Sequence, residues 1–196
     1  MPSTFKLLSY SDISPETQIT QPSHTAVQED PAKTVLTDLN KIKAFTIDAT
    51  ATIDFANSKM IACGVRLLFV MNVDNKLVGL VTASDLLGEK PITHLQKHGG
   101  TRANILVQDI MTARDKLKTL QMADVAKAKV GNIIETLKAF GRQHILVVDK
   151  LEDGTSERIC GIFSTTQISR QLGIEINITP IANTFAEVES AIASSF

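Results

Sequence analysis

The chain has 196 residues and a mass of 21.3 kDa, with 43% hydrophobic and 21% charged residues. That suits one or two small compact units and leaves no room for a large multidomain enzyme. Twenty Lys and Arg against 21 Asp and Glu give a net charge of −1, a poor footprint for coating a polyanion. Two cysteines, Cys63 and Cys160, exclude a disulfide scaffold and a four-cysteine zinc site. Aromatic residues are only 5%, with no Trp, which argues against base-stacking platforms. The longest apolar runs, such as Leu67 to Met71, are far shorter than the roughly 20 residues a membrane helix needs. With no signal-like start, the expectation is a cytoplasmic protein with reduced thiols and no membrane partner.

Residues 1–32 hold four of the six prolines (Pro2, Pro15, Pro22, Pro31) and nine Ser or Thr. With no apolar period to offset ordering entropy, this stretch reads as a flexible tail. An internal repeat follows. Its first copy runs from Gly64-Val-Arg-Leu-Leu-Phe-Val-Met through a turn at Asp74-Asn75-Lys76 to Gly79-Leu-Val-Thr-Ala-Ser-Asp85. The second runs from Gly141-Arg-Gln-His-Ile-Leu-Val-Val-Asp149 through a longer turn with Asp153-Gly154 to Gly161-Ile-Phe-Ser-Thr-Thr-Gln167. Each reads as buried strand, hairpin turn, strand and helix start.

An amphipathic helix precedes each copy. Ile53, Ala56, Met60 and Cys63 lie on one face before Gly64, and Ile133, Leu137 and Phe140 repeat that spacing before Gly141. Val35–Leu39 and Val107–Thr112 are matching lead-ins, and His98-Gly-Gly-Thr101 is a linker. The spacing predicts units at 33–100 and 101–178, each strand, helix, strand, strand, helix, too small to be stable apart. Pro180 opens a last predicted helix over 179–196, with Ile181, Phe185, Val188 and Ile192 on one face.

The chemistry concentrates in Gly79-x-x-Thr82-x-x-Asp85, at a strand-to-helix junction. A Gly admits close approach of backbone and ligand. A hydroxyl and a carboxylate three residues apart suit a ribose diol, with exposed helix N–H groups nearby for a phosphate. The same spacing makes a capping box, and Ser164-x-x-Gln167 fits that pattern too. Caps alone explain both copies. Gln167 serves a cap as well as an acid does but lacks the charge that favours a diol, so if the motifs hold ligand the first copy is the competent one and the second is weak or adapted.

These paired units resemble tandem CBS domains, the cystathionine-β-synthase-type repeat that forms a Bateman module. The resemblance rests on Val107-x-Asp-Ile-Met-Thr112, Gly79-Leu-Val-Thr-Ala-Ser-Asp85, Gly88-Glu-Lys-Pro91 and Gly161 to Gly173, and covers about residues 33 to 178. Stand-alone bacterial CBS-pair proteins are similar. The resemblance implies an α+β fold of two units packed through their sheets as a pseudo-symmetric pair that dimerises. It also implies a cleft for AMP, ADP, ATP or S-adenosylmethionine as regulatory ligand, with no required cofactor. The matching positions are Thr82 and Asp85 for ribose and phosphate, Ser164 in the second copy, and Arg66 and His144 as basic residues opening the second strand. Gln167 departs from the pattern and puts a second nucleotide site in doubt.

His144 at a strand start also fits a structural imidazole, and Arg66 a strand-edge snorkel. Both cysteines fall on expected core faces. The stretch Arg114–Arg142 has seven bases against three acids, but a solvated helix face explains it better than nucleic acid does. No nucleophile–base pair, metal cluster or P-loop marks an enzyme. The expectation is a non-catalytic sensor acting on a separate, unidentified partner protein. A ligand-free dimerisation module, its motifs mere caps, is the alternative.

Overall fold

The computed structural model describes residues 8–9, 11–19, 26–151 and 156–178. The predicted helix at 179–196 and the Asp153-Gly154 turn lie outside the described residues. The architecture is α+β, with two four-stranded sheets of the same topology. The strands are β1 (Thr37–Asp38), β2 (Thr46–Asp48), β3 (Leu67–Met71), β4 (Leu77–Thr82), β5 (Thr112–Ala113), β6 (Thr119–Gln121), β7 (His144–Lys150) and β8 (Glu157–Ser164). The helices are α1 (Ile53–Cys63), α2 (Ala83–Leu87), α3 (Glu89–His98), α4 (Val107–Ile110), α5 (Met122–Val125), α6 (Val130–Ala139) and α7 (Thr165–Leu172).

Helix α1 begins at Thr52, whose hydroxyl accepts from the Phe55 amide, and ends at Gly64 with φ 65°. Only a residue tolerant of positive φ closes a helix this way. Ile53, Ala56 and Met60 are buried on the face expected of them, while Cys63 is only half-buried. In α6, Ile133 and Leu137 are buried, but Phe140 stands 49% exposed because the helix ends at Ala139. The first hairpin turn is held by Asn72, whose Oδ1 accepts from the Asp74 and Lys76 amides at 3.1 and 2.8 Å.

The sheets are ordered β2-β3-β4-β5 and β6-β7-β8-β1. In each, a parallel pair is followed by an antiparallel hairpin and an antiparallel edge strand. The edge strands are exchanged. β1, in the lead-in of the first repeat, pairs with β8, while β5, in the lead-in of the second, pairs with β4. The intervals 33–100 and 101–178 are thus interlaced, each giving its first strand to the other's sheet.

The exchange follows the apolar residues. Ile105, Val107 and Ile110 join the core of α1, β3 and β4, whereas Ala26, Ala32 and Val35 join the core of α6, β7 and β8. From Ala26 on, the stretch read as tail is ordered against the second unit. The Ala32 amide donates to the Ala128 carbonyl at 2.8 Å, and the Asp30 and Gln28 carbonyls accept from Val130 and Gly131 at 2.9 Å each. A run poor in apolar period still docks here, because its few apolar residues fill an existing core.

The strands alternate. Leu68, Val70 and Val81 point into the first helical core, while Leu67, Phe69 and Leu80 point the other way and meet Leu146 in a third cluster between the sheets. Both faces are covered, which accounts for the unbroken apolar runs. Burying a Leu or Phe of this cluster is worth about 1.5–3 kcal/mol, so the units hold together chiefly through their sheets.

Gly79 is needed for this exchange. A Cβ there would stand 2.5 Å from the Thr112 carbonyl oxygen and 2.9 Å from Met111 Sδ. The close approach expected for a ligand is instead made by the crossing strand, a correction to the sequence reading. Gly161 is the counterpart, with Leu36 Cδ1 at 2.7 Å from the same virtual atom.

Candidate functional site

Strand β4 delivers Thr82 to the start of α2, where it forms a complete capping box. Its Oγ1 accepts from the Asp85 amide at 3.3 Å, and Asp85 Oδ2 accepts from the Thr82 amide at 2.8 Å. The Thr82 hydroxyl also donates to Oδ2 at 2.8 Å. The other oxygen, Oδ1, lies 2.6 Å from Lys90 Nζ, and that ammonium also donates to the Ile110 carbonyl at 3.0 Å. Asp85 therefore meets three donors, with 13% of its side chain exposed. Lys90 was not singled out from the sequence. The signal was present as an acid and a base five residues apart, bridging the helix break at Gly88.

The second motif departs from this. Ser164 is the N-cap of α7 but accepts no capping hydrogen bond. The Gln167 side-chain oxygen instead accepts from Thr37 Oγ1 of the crossing strand β1, at 2.5 Å. The capping pattern read in Ser164-x-x-Gln167 is thus not formed, because Thr37 captures the group that would have closed it. The copies have diverged: one is a cap with a charged acid, the other a tie between the units.

The strand ends carry both motifs to one region. Leu67 faces Thr82 and His144 faces Ser164 in register. The Ala83 amide donates to the Arg66 carbonyl at 2.9 Å, and the Thr165 amide to the Gln143 carbonyl at 3.0 Å. By this pairing Gln143 is the counterpart of Arg66, and His144 that of Leu67. Gln143 reaches across: its Oε1 accepts from Ser84 Oγ at 3.1 Å, joining the first motif to the second unit. His144 is held well below the usual imidazole value, at about 4, chiefly by burial and then by the Arg66 charge, with Asp85 opposing. Arg66, Asp85 and His144 thus lie within electrostatic reach of one another, drawn from both repeats. At neutral pH the imidazole is uncharged and offers one donor and one acceptor.

Burial pushes the Cys160 thiol up, against thiolate chemistry there. Among the described residues no three His, Cys, Asp or Glu cluster as a metal would require, and no helix is long and apolar enough to cross a membrane. A shallow depression of about 400 Å³ between the first hairpin and the segment after β5 is lined by Lys76, Leu77, Ala113 and Arg114, away from these motifs.

Two interlaced α+β repeats, each ending a strand pair in a hydroxyl-bearing helix start, make a fold similar to that of CBS-domain proteins. Residues 29–91 match the CBS domain family model. The fold is similar to that of an uncharacterized conserved protein from Pyrococcus horikoshii, at 24% identity and a TM-score of 0.51, covering 73% of this chain and 92% of that one. It is likewise similar to a CBS-domain containing protein from Agrobacterium tumefaciens, at 18% identity and a TM-score of 0.51, covering 74% and 97%. CBSX2 in complex with AMP is a further similar structure, at 20% identity and a TM-score of 0.49, covering 72% and 93%. No curated protein matches the chain.

Proposed function

We propose that the chain is a non-catalytic regulatory module that binds one adenosine-containing ligand beside Thr82 and Asp85. The observation that carries this reading is the meeting of a hydroxyl–carboxylate pair from one repeat with His144 of the other, beside Arg66. A carboxylate suits ribose hydroxyls, a guanidinium suits a phosphate, and a neutral imidazole can donate to or accept from either. Gln167 takes no part, since it is tied to Thr37 and brings no charge. Ligand held by residues of both repeats favours one relative arrangement of the units, and a separate partner protein reads it.

Thermal shift against AMP, ADP, ATP and S-adenosylmethionine tests this, because a ligand bound only by the folded state raises the midpoint by mass action. The expected result is selective stabilisation that disappears in Asp85→Asn. A flat response from every adenylate at millimolar concentration overturns it.

A second reading is an assembly module without ligand. It is favoured by the capping box, which engages Thr82 and Asp85 with each other. Homodimerisation is proposed under both readings, supported by the exposure of Phe55, Ile61 and Leu87 on α1 and α2, at 58%, 73% and 65%. Light scattering showing a monomer at all concentrations would remove that part.

A further inference from the structure

We infer that Lys90 makes the Asp85 site selective for ligands that carry an anionic group, by competing for the carboxylate oxygen that a ligand's hydroxyls require. The inference rests on the adenosyl-ligand reading above and adds a residue and a charge requirement to it.

A carboxylate has about four lone-pair positions. At Asp85 three are engaged, by the Thr82 amide, the Thr82 hydroxyl and Lys90. A ribose diol donating through both hydroxyls needs two. The Thr82 donors are fixed by the helix start they cap, so the position to be yielded is the one held by Lys90. That side chain is 44% exposed, so its ammonium can exchange the carboxylate for water or a ligand. It does not leave the site, because the Ile110 carbonyl still accepts from its ammonium. Ile110 is the last residue of α4 and is 3% exposed, so this anchor is fixed by the first core.

A ligand that takes Asp85 therefore leaves a cation held at its rim with unpaired donors. A phosphate compensates that cation, whereas a neutral nucleoside does not. Arg66 lies nearby but is exposed, and His144 supplies no charge at neutral pH. Lys90 is the cation seated on the acid itself.

Calorimetric titration of the full chain with AMP and with adenosine, at one ionic strength, tests this in the wild type, Lys90→Met and Lys90→Arg. Wild type is expected to bind AMP at least about tenfold more tightly than adenosine, the size of one charge-assisted hydrogen bond. In Lys90→Met that ratio falls about tenfold, with adenosine binding unchanged or tighter. Lys90→Arg keeps the ratio, and it also answers the question should the methionine variant fail to fold. An unchanged ratio in Lys90→Met, equal weakening of both ligands, or loss of the ratio in Lys90→Arg overturns the inference alone. Failure of wild type to bind either ligand overturns the adenosyl reading and this inference together.

Discussion

Replacing Asp85 with alanine removes one acceptor group from three donors at once, and the geometry sets the size of the effect. Loss of the acceptor for the Thr82 hydroxyl, 2.8 Å away, costs about 1 kcal/mol. The half-buried Thr82 amide loses its 2.8 Å partner, adding about 1 kcal/mol at the low end of the range for an unpaired donor. The Lys90 pair adds little, because its ammonium is 44% exposed and screened by solvent. Together these predict about 2 kcal/mol, or a fall in Tm of roughly 4–8 °C at about 2–4 °C per kcal/mol for a chain of this size. Asp85→Asn keeps an oxygen for the Thr82 amide and should lose less than half as much. Urea unfolding of both variants, checked for an unchanged slope, measures the difference. If alanine lies within about 0.5 kcal/mol of wild type, or asparagine costs as much as alanine, the cap is not what holds this helix start.

Gly79→Ala should be more damaging than Gly161→Ala. The first meets the backbone oxygen of Thr112, whereas the second meets the tip of the Leu36 side chain, which can shift. Comparison of urea midpoints checks the order, with about 1–3 kcal/mol expected for Gly79. His144 titrates at about 4 in the folded protein against 6.5 when free, so between those values the unfolded chain binds more protons. Unfolding free energy should fall as pH drops from about 6.5 towards 4, and His144→Gln should flatten that slope in a pH series of denaturant melts. Thr37→Val leaves Gln167 without its partner and should increase amide hydrogen exchange along β1 while leaving the β2–β3 pairing unchanged. Equal exchange in both places would contradict the tie.

What the sequence made legible was local. The repeat, the two-sided strands Leu67–Met71 and His144–Lys150, and the helix end at Gly64 all follow from short-range pattern and backbone freedom. The strand exchange was not legible, because Thr37 and Thr112 carry no mark of which sheet they join, and the choice is made by the neighbouring Val35 and Ile110, which pack into cores built from residues distant in the chain. The same distance hid the neighbour of Gly79 and the tie between Thr37 and Gln167. Thr82 and Asp85 were legible as a pair whose cap and ligand readings share one geometry. Their third member, Lys90, was not, since Gly88 ends the periodic pattern that would have linked it to Asp85.

Isothermal titration of the full chain with AMP, repeated on Asp85→Asn, tests the central claim most directly. Saturable binding of one AMP per chain is expected in the wild type, lost in a variant that remains folded by circular dichroism. Two AMP per chain, binding indifferent to Asp85, or no heat of binding at millimolar AMP would contradict it.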